Sequence, residues 1–438
     1  MSLDIIRIEI FADLCVLLNS DQREKCIKEC GAGITAFLLQ EKSNQIEDVL
    51  RKLLVTYEFL SGRIKMNPET SRFEFDCNNA GVGFVVARSK LALNEIGDLV
   101  YPNPAFSQLV TQGLDSLSPD SHPLCIFQMT AFKCGGFSMG VLTNHTLFDG
   151  GSTKFFTQNL AALACDKPLA MTPCNNRELL AARSPPTVSF PHPELLKLSI
   201  PLTAVAAANA NPSVFDNSIA DLDFKVFHLT PDDLLHLKLK TMSSSSTGNA
   251  RFTSFNVVSA HIWRCKALSS DYENNPEKDS TLLYAVDIRQ RLNPPLPAEY
   301  TGNAVLTAYA TAKCREIEKA PLSRLIEMVA EGVSRMTDEY VRSAIDFGEE
   351  YKMFPKGDFM ITSWWRLGFD EMEYPWGKAI YSCPISRRKD IILLLPDITN
   401  FASGGKGGGG AGGGVNVWVT LPRKEMTKFE SSFYKYLA

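Results

Sequence analysis

The sequence has no excess of charge of either sign. Its 438 residues carry 45 Lys and Arg against 49 Asp and Glu, a formal net charge of −4. Without a basic surplus the chain lacks the electrostatic attraction that draws a polyanion, and without an acidic surplus it lacks a signature of disorder. We therefore expect a globular protein with no nucleic-acid partner.

The cysteine pattern lacks the spacings of a metal site. The eleven cysteines are scattered, without a Cys-x-x-Cys pair or a Cys/His cluster at the spacing of zinc ligands. An odd number of cysteines in a long chain is more typical of the reducing cytosol than of a disulfide framework. We expect no bound metal and a cytoplasmic protein.

Long apolar runs are also missing. No uncharged apolar run reaches the roughly 18 residues that a membrane span requires. The first 20 residues contain Asp4, Arg7, Glu9 and Asp13 and lack the basic start and continuous apolar core of a signal peptide. The sequence thus predicts no membrane span and no export.

What the chain does contain is apolar periodicity of two kinds in both halves. Apolar residues alternate with period two over short runs and recur at helical spacing over longer ones, which indicates an α/β protein. Predicted strands cover residues 72–76, 82–87, 124–132, 137–143, 282–287, 304–310, 359–364, 391–395 and 415–421. Predicted helices cover residues 44–60, 151–164, 255–268 and 424–437, a helix from Pro231 capped by Thr230, and two helices between 323 and 351.

Two segments interrupt this pattern. Six prolines between Ala182 and Ser218 exclude regular helix over most of that stretch. We interpret it as a crossover, 183–218, between an N-terminal domain, 1–182, and a C-terminal domain, 219–438. Nine of the twelve residues 403–414 are glycine, but no helix follows and no Lys-Ser/Thr closes the run, so a flexible hairpin loop is favoured over a phosphate-binding loop.

The run His145-Thr146-Leu147-Phe148-Asp149-Gly150 is the strongest candidate for chemistry. It follows a predicted hairpin, with Gly135 and Gly136 in the turn, and precedes a predicted helix. Acyl transfer from a thioester needs a base for the acceptor's proton and an acid for the departing thiolate. One imidazole with a reference pKa of about 6.5 can do both in turn. We therefore predict that His145 is the catalytic group of an acyltransferase.

Other assignments near the motif stay open at this point. The carboxylate of Asp149 could orient the imidazole or form a structural ion pair. Cys134 could be a covalent nucleophile, but its position in a hairpin turn favours a structural role and direct transfer in a ternary complex. The five other histidines lack this setting and are interpreted as structural: His122, His192, His228, His236 and His261, the last on an apolar helix.

Several ordered motifs resemble the plant BAHD acyltransferases, and the resemblance extends from about Ile46 to the C-terminus. They are Phe59-Leu60-Ser61-Gly62-Arg63, Cys134-Gly135-Gly136-Phe137, the His145–Gly150 run, Ala260-His261-Ile262-Trp263-Arg264, Asp287-Ile288-Arg289-Gln290-Arg291, Pro294-Pro295-Leu296-Pro297 and Thr301-Gly302-Asn303. The resemblance implies two similar-sized α/β domains with mixed sheets, as in chloramphenicol acetyltransferase, with the active-site channel at their interface. It also implies a monomer with acyl-coenzyme A as co-substrate, no metal and no tightly held cofactor.

The resemblance also assigns roles to single residues. Asp149 would be structural and paired with an arginine. Thr362 and Trp364, in a segment near the active site (about 358–380), match positions that can help to hold the tetrahedral oxyanion. Ser254, with the helix that it begins, and Gly150 match the coenzyme A side.

Two departures from the family pattern concern the second signature and the N-terminus. The family's second signature, Asp-Phe-Gly-Trp-Gly, appears here as Glu373-Tyr374-Pro375-Trp376-Gly377. Its acid would pair with Arg289 or Arg291, and Pro375 removes a backbone donor and fixes φ. Residues 1 to about 40 do not resemble the usual start, which supplies an early strand and part of the acceptor side.

Two other functional classes compete with the enzyme. A non-catalytic family member could act as the partner of a lipid-elongating enzyme, and a third hypothesis is a protein that only binds small molecules. The intact His145 favours the enzyme, with a hydroxyl acceptor preferred over an amine and an aromatic or aliphatic acyl donor. An apolar lining near the site could come from Met353, Phe359, Met360 and Trp365, which could equally be core residues.

Overall fold

The computed structural model of the chain describes residues 11–18, 33–69, 72–100, 103–111, 121–197, 221–242, 252–270, 275–351, 353–385, 388–397 and 413–438. Most of the glycine-rich segment and residues 198–218 of the crossover lie outside the described residues. The α-helices in the described part are α1 Gly33–Leu53, α2 Gly150–Ala164, α3 Pro231–Met242, α4 Ser254–Ser269, α5 Cys314–Lys319, α6 Leu322–Ser334, α7 Asp338–Tyr351 and α8 Arg423–Leu437. The strands are β1 Phe11–Leu18, β2 Arg63–Asn67, β3 Arg72–Asp76, β4 Gly83–Arg88, β5 Cys125–Ala131, β6 Phe137–Asn144, β7 Leu195–Lys197, β8 Leu222–Leu229, β9 Asp279–Asp287, β10 Val305–Lys313, β11 Met353–Pro355, β12 Phe359–Ser363, β13 Glu373–Tyr374, β14 Gly377–Pro384, β15 Ile391–Pro396 and β16 Val415–Pro422.

Two six-stranded mixed sheets form the framework. The first has the order β13-β14-β1-β6-β5-β4, in which only β4 and β5 run parallel. The second has the order β10-β9-β12-β15-β16-β8, in which β12 runs parallel to both of its neighbours. The predicted α/β class with a mixed sheet in each half is confirmed.

A segment near the end of the chain, within the predicted C-terminal domain 219–438, pairs with the first sheet. Strands β13 and β14 belong to the first sheet, where Leu14 of β1 pairs with Pro384 of β14. Ala379 is buried in the core that this sheet shares with helices α1 and α2. The strand therefore completes the first sheet, although the chain reaches it only after crossing the second.

Strand β1 lies inside the first sheet, between β14 and β6. It comes from the N-terminal segment that departs from the usual family start. Its register aligns Phe11 with Asn144 and Leu18 with Phe137 along the whole length of β6. The atypical start thus supplies the strand that supports the one leading into the histidine motif.

The first helix ends earlier than the sequence predicts. Ile46, Val49, Leu50 and Leu53 are buried at helical spacing, but α1 stops at Leu53 instead of residue 60. The hydroxyl of Thr56 donates to the carbonyl of Leu53 at 3.0 Å. The same carbonyl also accepts from the backbone N–H groups of Thr56 and Tyr57, both at 3.1 Å, so the helix ends in a hydrogen-bonded turn.

Helix α4 runs through the centre of the second core. Most of its side chains are buried, and the indole of Trp263 donates to the hydroxyl of Ser280 at 3.2 Å. A helix that is buried all round lies between other layers, here between the second sheet, α6 and α8. The start of α4 is thereby held at a fixed place beside the candidate site.

Candidate active site

His145 sits in a tight turn between strand β6 and helix α2. The side-chain oxygen of Asn144 accepts hydrogen bonds from the backbone N–H and the hydroxyl of Thr146, at 3.0 and 2.7 Å. Leu147 and Phe148 are fully buried, and the Phe148 ring packs edge-on against Phe59 at 5.8 Å. The predicted hairpin before the strand is present, with Gly135 at φ +82° in its turn. The turn is thus held at both ends, which fixes the backbone of the histidine.

The imidazole of His145 is half-buried and favours its neutral form. Burial, and to a smaller extent the charge of Arg388, lower its pKa below the ordinary value. Hydrogen bonds of the ring to its own carbonyl and to the side chain of Asn303, with the field of Asp149, act in the opposite direction. A neutral imidazole has one ring nitrogen without a proton, which can accept the proton of a substrate.

Asn303 holds the backbone of His145. Its side-chain amide donates to the carbonyl oxygen of His145 at 2.7 Å, across 158 residues of sequence. The Thr301-Gly302-Asn303 run resembles the family, but the role of this asparagine could not be predicted, because the contact depends on the packing of two distant segments.

The carboxylate of Asp149 makes its bonds away from the imidazole. Oδ2 accepts from the guanidinium Nη1 of Arg289 at 3.0 Å and from the backbone N–H of Ala304 at 2.9 Å. Oδ1 accepts from Nη2 of Arg289 at 3.1 Å and from the backbone N–H of Ser152 at 2.7 Å, which caps helix α2. Asp149 could have oriented the imidazole or formed a structural ion pair, and its bonds are those of the ion pair.

Ser152 extends this network across the two halves of the chain. Its hydroxyl donates to the carbonyl of Gly302 at 2.8 Å and accepts from the Gly302 N–H at 2.9 Å. Nη2 of Arg289 also donates to the Ser152 hydroxyl at 2.9 Å. The start of α2 and the 300–304 segment are therefore tied together directly beside Asn303. The sequence contained no signal for the role of Ser152.

The expected pairing of Glu373 with Arg289 or Arg291 is wrong. The guanidinium of Arg289 is held by Asp149 and by Asp287, the latter at 3.0 Å. Glu373 and Arg291 are both exposed, and no ion pair joins them. Within β13, Tyr374 takes the buried place, so the acid of this loop points to solvent.

The remaining residues of the second signature act in packing. Trp376 contacts Phe137 edge-on at 5.2 Å and stacks on Tyr374 at 6.2 Å. Gly377 has φ +105°, a backbone conformation that L side chains rarely adopt. The loop therefore seals the first core beside β6, despite its altered sequence.

Thr362, Trp364, Gly150 and Ser254 lie on segments that meet near the motif. Leu367, just beyond β12, packs so closely on Gly150 that a Cβ there would lie 2.8 Å from its Cδ1. Thr362 and Trp364 are half-buried at the end of β12, and the backbone N–H of Trp364 is bonded to Leu394 at 2.8 Å. The backbone N–H of Trp364 is therefore already bonded and is not free to donate to an oxyanion.

Ser254 opens helix α4, whose first turn is capped by Thr253. The exposed guanidinium of Arg366, which the sequence analysis missed, donates to the Ser254 hydroxyl at 3.4 Å and lies over the Trp365 ring at 5.0 Å. Trp365 and Phe359, considered as an apolar lining, are buried in the second core.

Two other candidates from the sequence, Cys134 and His261, have contacts that fit a structural role. The Cys134 sulfur accepts a hydrogen bond from the backbone N–H of Leu93 at 3.2 Å. His261 is buried against the Phe433 ring at 4.7 Å, and burial lowers its pKa to about 3.

No group of three or more His, Cys, Asp or Glu side chains suited to a metal ion occurs among the described residues. No helix in that part of the chain is long and apolar enough to cross a membrane.

Known proteins resemble this chain both in sequence and in fold. A family model described as "Transferase family" matches residues 36–436. The chain is 53% identical to the acyltransferase GLAUCE of Arabidopsis thaliana, over 89% of this chain and 84% of that protein. It is 31% identical to the omega-hydroxypalmitate O-feruloyl transferase of the same plant, over 96% of this chain and 88% of that protein.

A solved structure shares the architecture. The crystal structure of F. sporotrichioides TRI101 with coenzyme A and T-2 superposes with a TM-score of 0.72, over 99% of this chain and 97% of that one. At 14% identity this likeness shows the fold alone. With the match over residues 36–436 and the 53% identical relative, the chain belongs to the plant BAHD family of acyl-CoA-dependent acyltransferases.

Proposed function

We propose that the protein transfers an acyl group from a coenzyme A thioester to the hydroxyl group of a small molecule, with His145 as the base in a ternary complex. The observation that carries the proposal is the half-buried imidazole of His145, whose backbone is held by Asn303 and whose pKa is lowered by burial. The carboxylate four residues later is fully engaged with Arg289 and is not needed for proton transfer.

The reaction follows from this geometry. Nε2 takes the proton of the acceptor hydroxyl as its oxygen bonds to the thioester carbonyl carbon, and the carbonyl oxygen becomes an oxyanion. The tetrahedral intermediate collapses with cleavage of the C–S bond, and the imidazolium gives the proton to the departing thiolate. Atoms and charge balance within one site, so no covalent enzyme intermediate is required.

The hydroxyl of Thr362 is the donor that we assign to the oxyanion. It makes no hydrogen bond to any residue that the structure describes, whereas the backbone N–H of Trp364 is already bonded to Leu394. Trp364 would then contribute its ring, which packs on Phe369 at 5.2 Å, as a wall of the site. One well-placed donor of this type contributes about 3 kcal/mol to the transition state.

The substrate class rests on relatives and on chemistry. One relative is named for the transfer of a feruloyl group to the oxygen of omega-hydroxypalmitate, and one structural neighbour holds coenzyme A. We infer an aromatic or aliphatic acyl donor and a hydroxyl acceptor, with Ser254 and the start of α4 on the coenzyme A side. We also propose that the protein acts as a monomer, with His145, Asn303 and Thr362 of the same chain in one site.

The test is release of free thiol from a panel of aromatic and aliphatic acyl-coenzyme A donors, each with aliphatic and aromatic alcohols. Wild type should release coenzyme A with at least one pair, and mass spectrometry should find the matching ester. His145→Ala should abolish this release, while His236→Ala, which changes an exposed histidine, should retain it. Equal, slow release by wild type and His145→Ala with every pair would refute the proposal.

A further inference from the structure

One face of the second sheet lies against the first sheet. Leu395 and Trp418 of the second sheet pack in the same hydrophobic cluster as Leu142 and Tyr381 of the first. Side chains on the opposite face of the second sheet, such as Leu394, belong to the separate core around helix α4. The face that carries Trp418 therefore borders the interface between the two sheets.

The register of the second sheet places Trp418 and Thr362 on this same face. Thr362 of β12 pairs with Leu393 of β15, which pairs with Trp418 of β16. Val226 of β8 completes the row beside Trp418. Paired residues of neighbouring strands direct their side chains to the same side of a sheet. With about 4.8 Å between strands, the backbone of Trp418 lies about 10 Å from that of Thr362, the residue that we assign to the oxyanion.

This row is more open than the residues around it. Thr362, Leu393 and Val226 are each half-buried, although Leu393 and Val226 pack against the cluster between the sheets. The residue before Thr362, Ile361, points to the other face and is fully buried. Apolar side chains that lie between two layers and still reach solvent are typical of the lining of a ligand site. The row is therefore placed to line a ligand that extends from Thr362 toward Trp418.

The indole N–H of Trp418 is a buried donor. The residue is only 5% exposed, and its Nε1 makes no hydrogen bond to any residue in the described part of the chain. The N–H of a buried tryptophan usually has a partner, as that of Trp263 has in the hydroxyl of Ser280 at 3.2 Å. A ligand that lies along the row can supply the acceptor for Trp418.

We propose that Trp418 determines specificity for the acyl donor: its indole N–H donates a hydrogen bond to an oxygen at the far end of the acyl group. This role rests on the proposed transfer reaction, in which the thioester carbonyl oxygen lies at Thr362. In a 4-hydroxycinnamoyl group, a propenoyl link and the length of a benzene ring separate the carbonyl from the ring oxygen. That separation is comparable with the two strand spacings between Thr362 and Trp418. The class of donor is therefore an aromatic acyl group that carries an oxygen on its ring.

The hydrogen bond and the apolar row contribute to binding in different ways. Leu393 and Val226 gain apolar contact from any aromatic acyl group, with or without a ring oxygen. An acyl group without the oxygen leaves the N–H of Trp418 cut off from water and unpaired, and a site built in this way discriminates against such an analogue. Affinity for an aromatic group thus comes from the row, and selectivity for the ring oxygen comes from the indole.

The test compares 4-hydroxycinnamoyl-coenzyme A with cinnamoyl-coenzyme A on the full chain. Calorimetry measures the Kd of each donor without an acceptor, so this readout needs no turnover. Wild type should bind the hydroxylated donor about 10-fold more tightly, the size of one net hydrogen bond, and Trp418→Phe should bind the two donors equally. Leu393→Val, which shortens an apolar side chain of the same row, is the matched control and should weaken both donors alike. An equal ratio of the two Kd values in wild type and Trp418→Phe would overturn the proposal.

Kinetics identify which substrate carries the oxygen. The ratio of kcat/KM for the two donors should also fall about 10-fold in Trp418→Phe, and a ratio does not depend on the fraction of folded enzyme. A second pair of assays compares 4-hydroxybenzyl alcohol with benzyl alcohol as acceptors. If Trp418→Phe changes the preference between these alcohols and leaves the preference between donors intact, the assignment to the acyl donor is wrong. Absence of turnover with every pair would refute the proposed reaction, whereas the ratio of the Kd values would still decide the role of Trp418.

Discussion

Asp149 and Arg289 form a bidentate ion pair between the start of helix α2 and the segment after β9. Nη1 lies 3.0 Å from Oδ2, and Nη2 lies 3.1 Å from Oδ1. Both side chains are more than nine-tenths buried. The pair holds together the two halves of the chain that contribute His145 and Asn303, so the aspartate of the motif supports the site without taking part in proton transfer.

Loss of this pair should destabilise the fold. Asp149→Asn leaves the buried Arg289 without its full partner, and breaking a buried pair typically costs about 3–5 kcal/mol. The free energy of unfolding in urea measures the loss. Asp287→Asn is the matched control, because Asp287 pairs with the same guanidinium but its side chain is 57% exposed. An exposed pair contributes about 1 kcal/mol or less. Equal losses in the two variants would contradict the structural role of Asp149.

Removal of the Asn303 side chain should slow the reaction without weakening binding. Asn303→Ala deletes the bond to the His145 carbonyl. A small misplacement of a catalytic group costs up to about 100-fold, so we expect kcat to fall about 10- to 100-fold. KM for both substrates should change little in steady-state kinetics. A variant with unchanged kcat would mean that the turn alone orients the imidazole.

The hydroxyl of Thr362 should matter more than its methyl group. Thr362→Val keeps the shape of the side chain and removes the donor, and loss of one oxyanion donor costs about 100- to 1,000-fold in kcat. Thr362→Ser keeps the hydroxyl and should retain most of the activity. If the valine variant turns over as fast as the serine variant, the oxyanion is held by another group.

Buried His261 should make the stability depend on pH. Burial lowers its pKa in the folded state to about 3, below the value of about 6.5 for an unfolded histidine. Between these values the unfolded chain binds more protons, so stability is complete above about pH 6.5 and is lost progressively as pH falls toward 3. Urea unfolding of His261→Leu should show a shallower loss over this range than wild type. The exposed His236→Leu should follow wild type, and a parallel loss in both variants would contradict the assignment to His261.

Local patterns in the sequence predicted the setting of His145 well. The apolar runs around Gly135 and Gly136 predicted the hairpin, and helical spacing after Gly150 predicted α2. These elements are determined by neighbouring residues, so periodicity and turn chemistry were sufficient. The position of the histidine between a strand and a helix follows from them directly.

Contacts between distant segments could not be predicted in this way. The membership of β14 in the first sheet depends on pairing with β1, more than 360 residues earlier in the chain. The bond of Asn303 to His145 likewise depends on how the two halves pack. The pairing expected for Glu373 was wrong because its neighbour Tyr374 takes the buried position and leaves the carboxylate in solvent.

The single-turnover rate of His145→Gln tests the central claim most directly. Glutamine approximates the size and polarity of the ring but cannot accept the proton at neutral pH. Saturating enzyme is mixed with acyl-coenzyme A and acceptor, ester formation is followed by rapid quench, and calorimetry measures donor binding separately. General acid–base catalysis contributes about 100- to 10,000-fold, so we expect a loss in that range with unchanged donor affinity. A rate within about fivefold of wild type would contradict the role of His145 as the base.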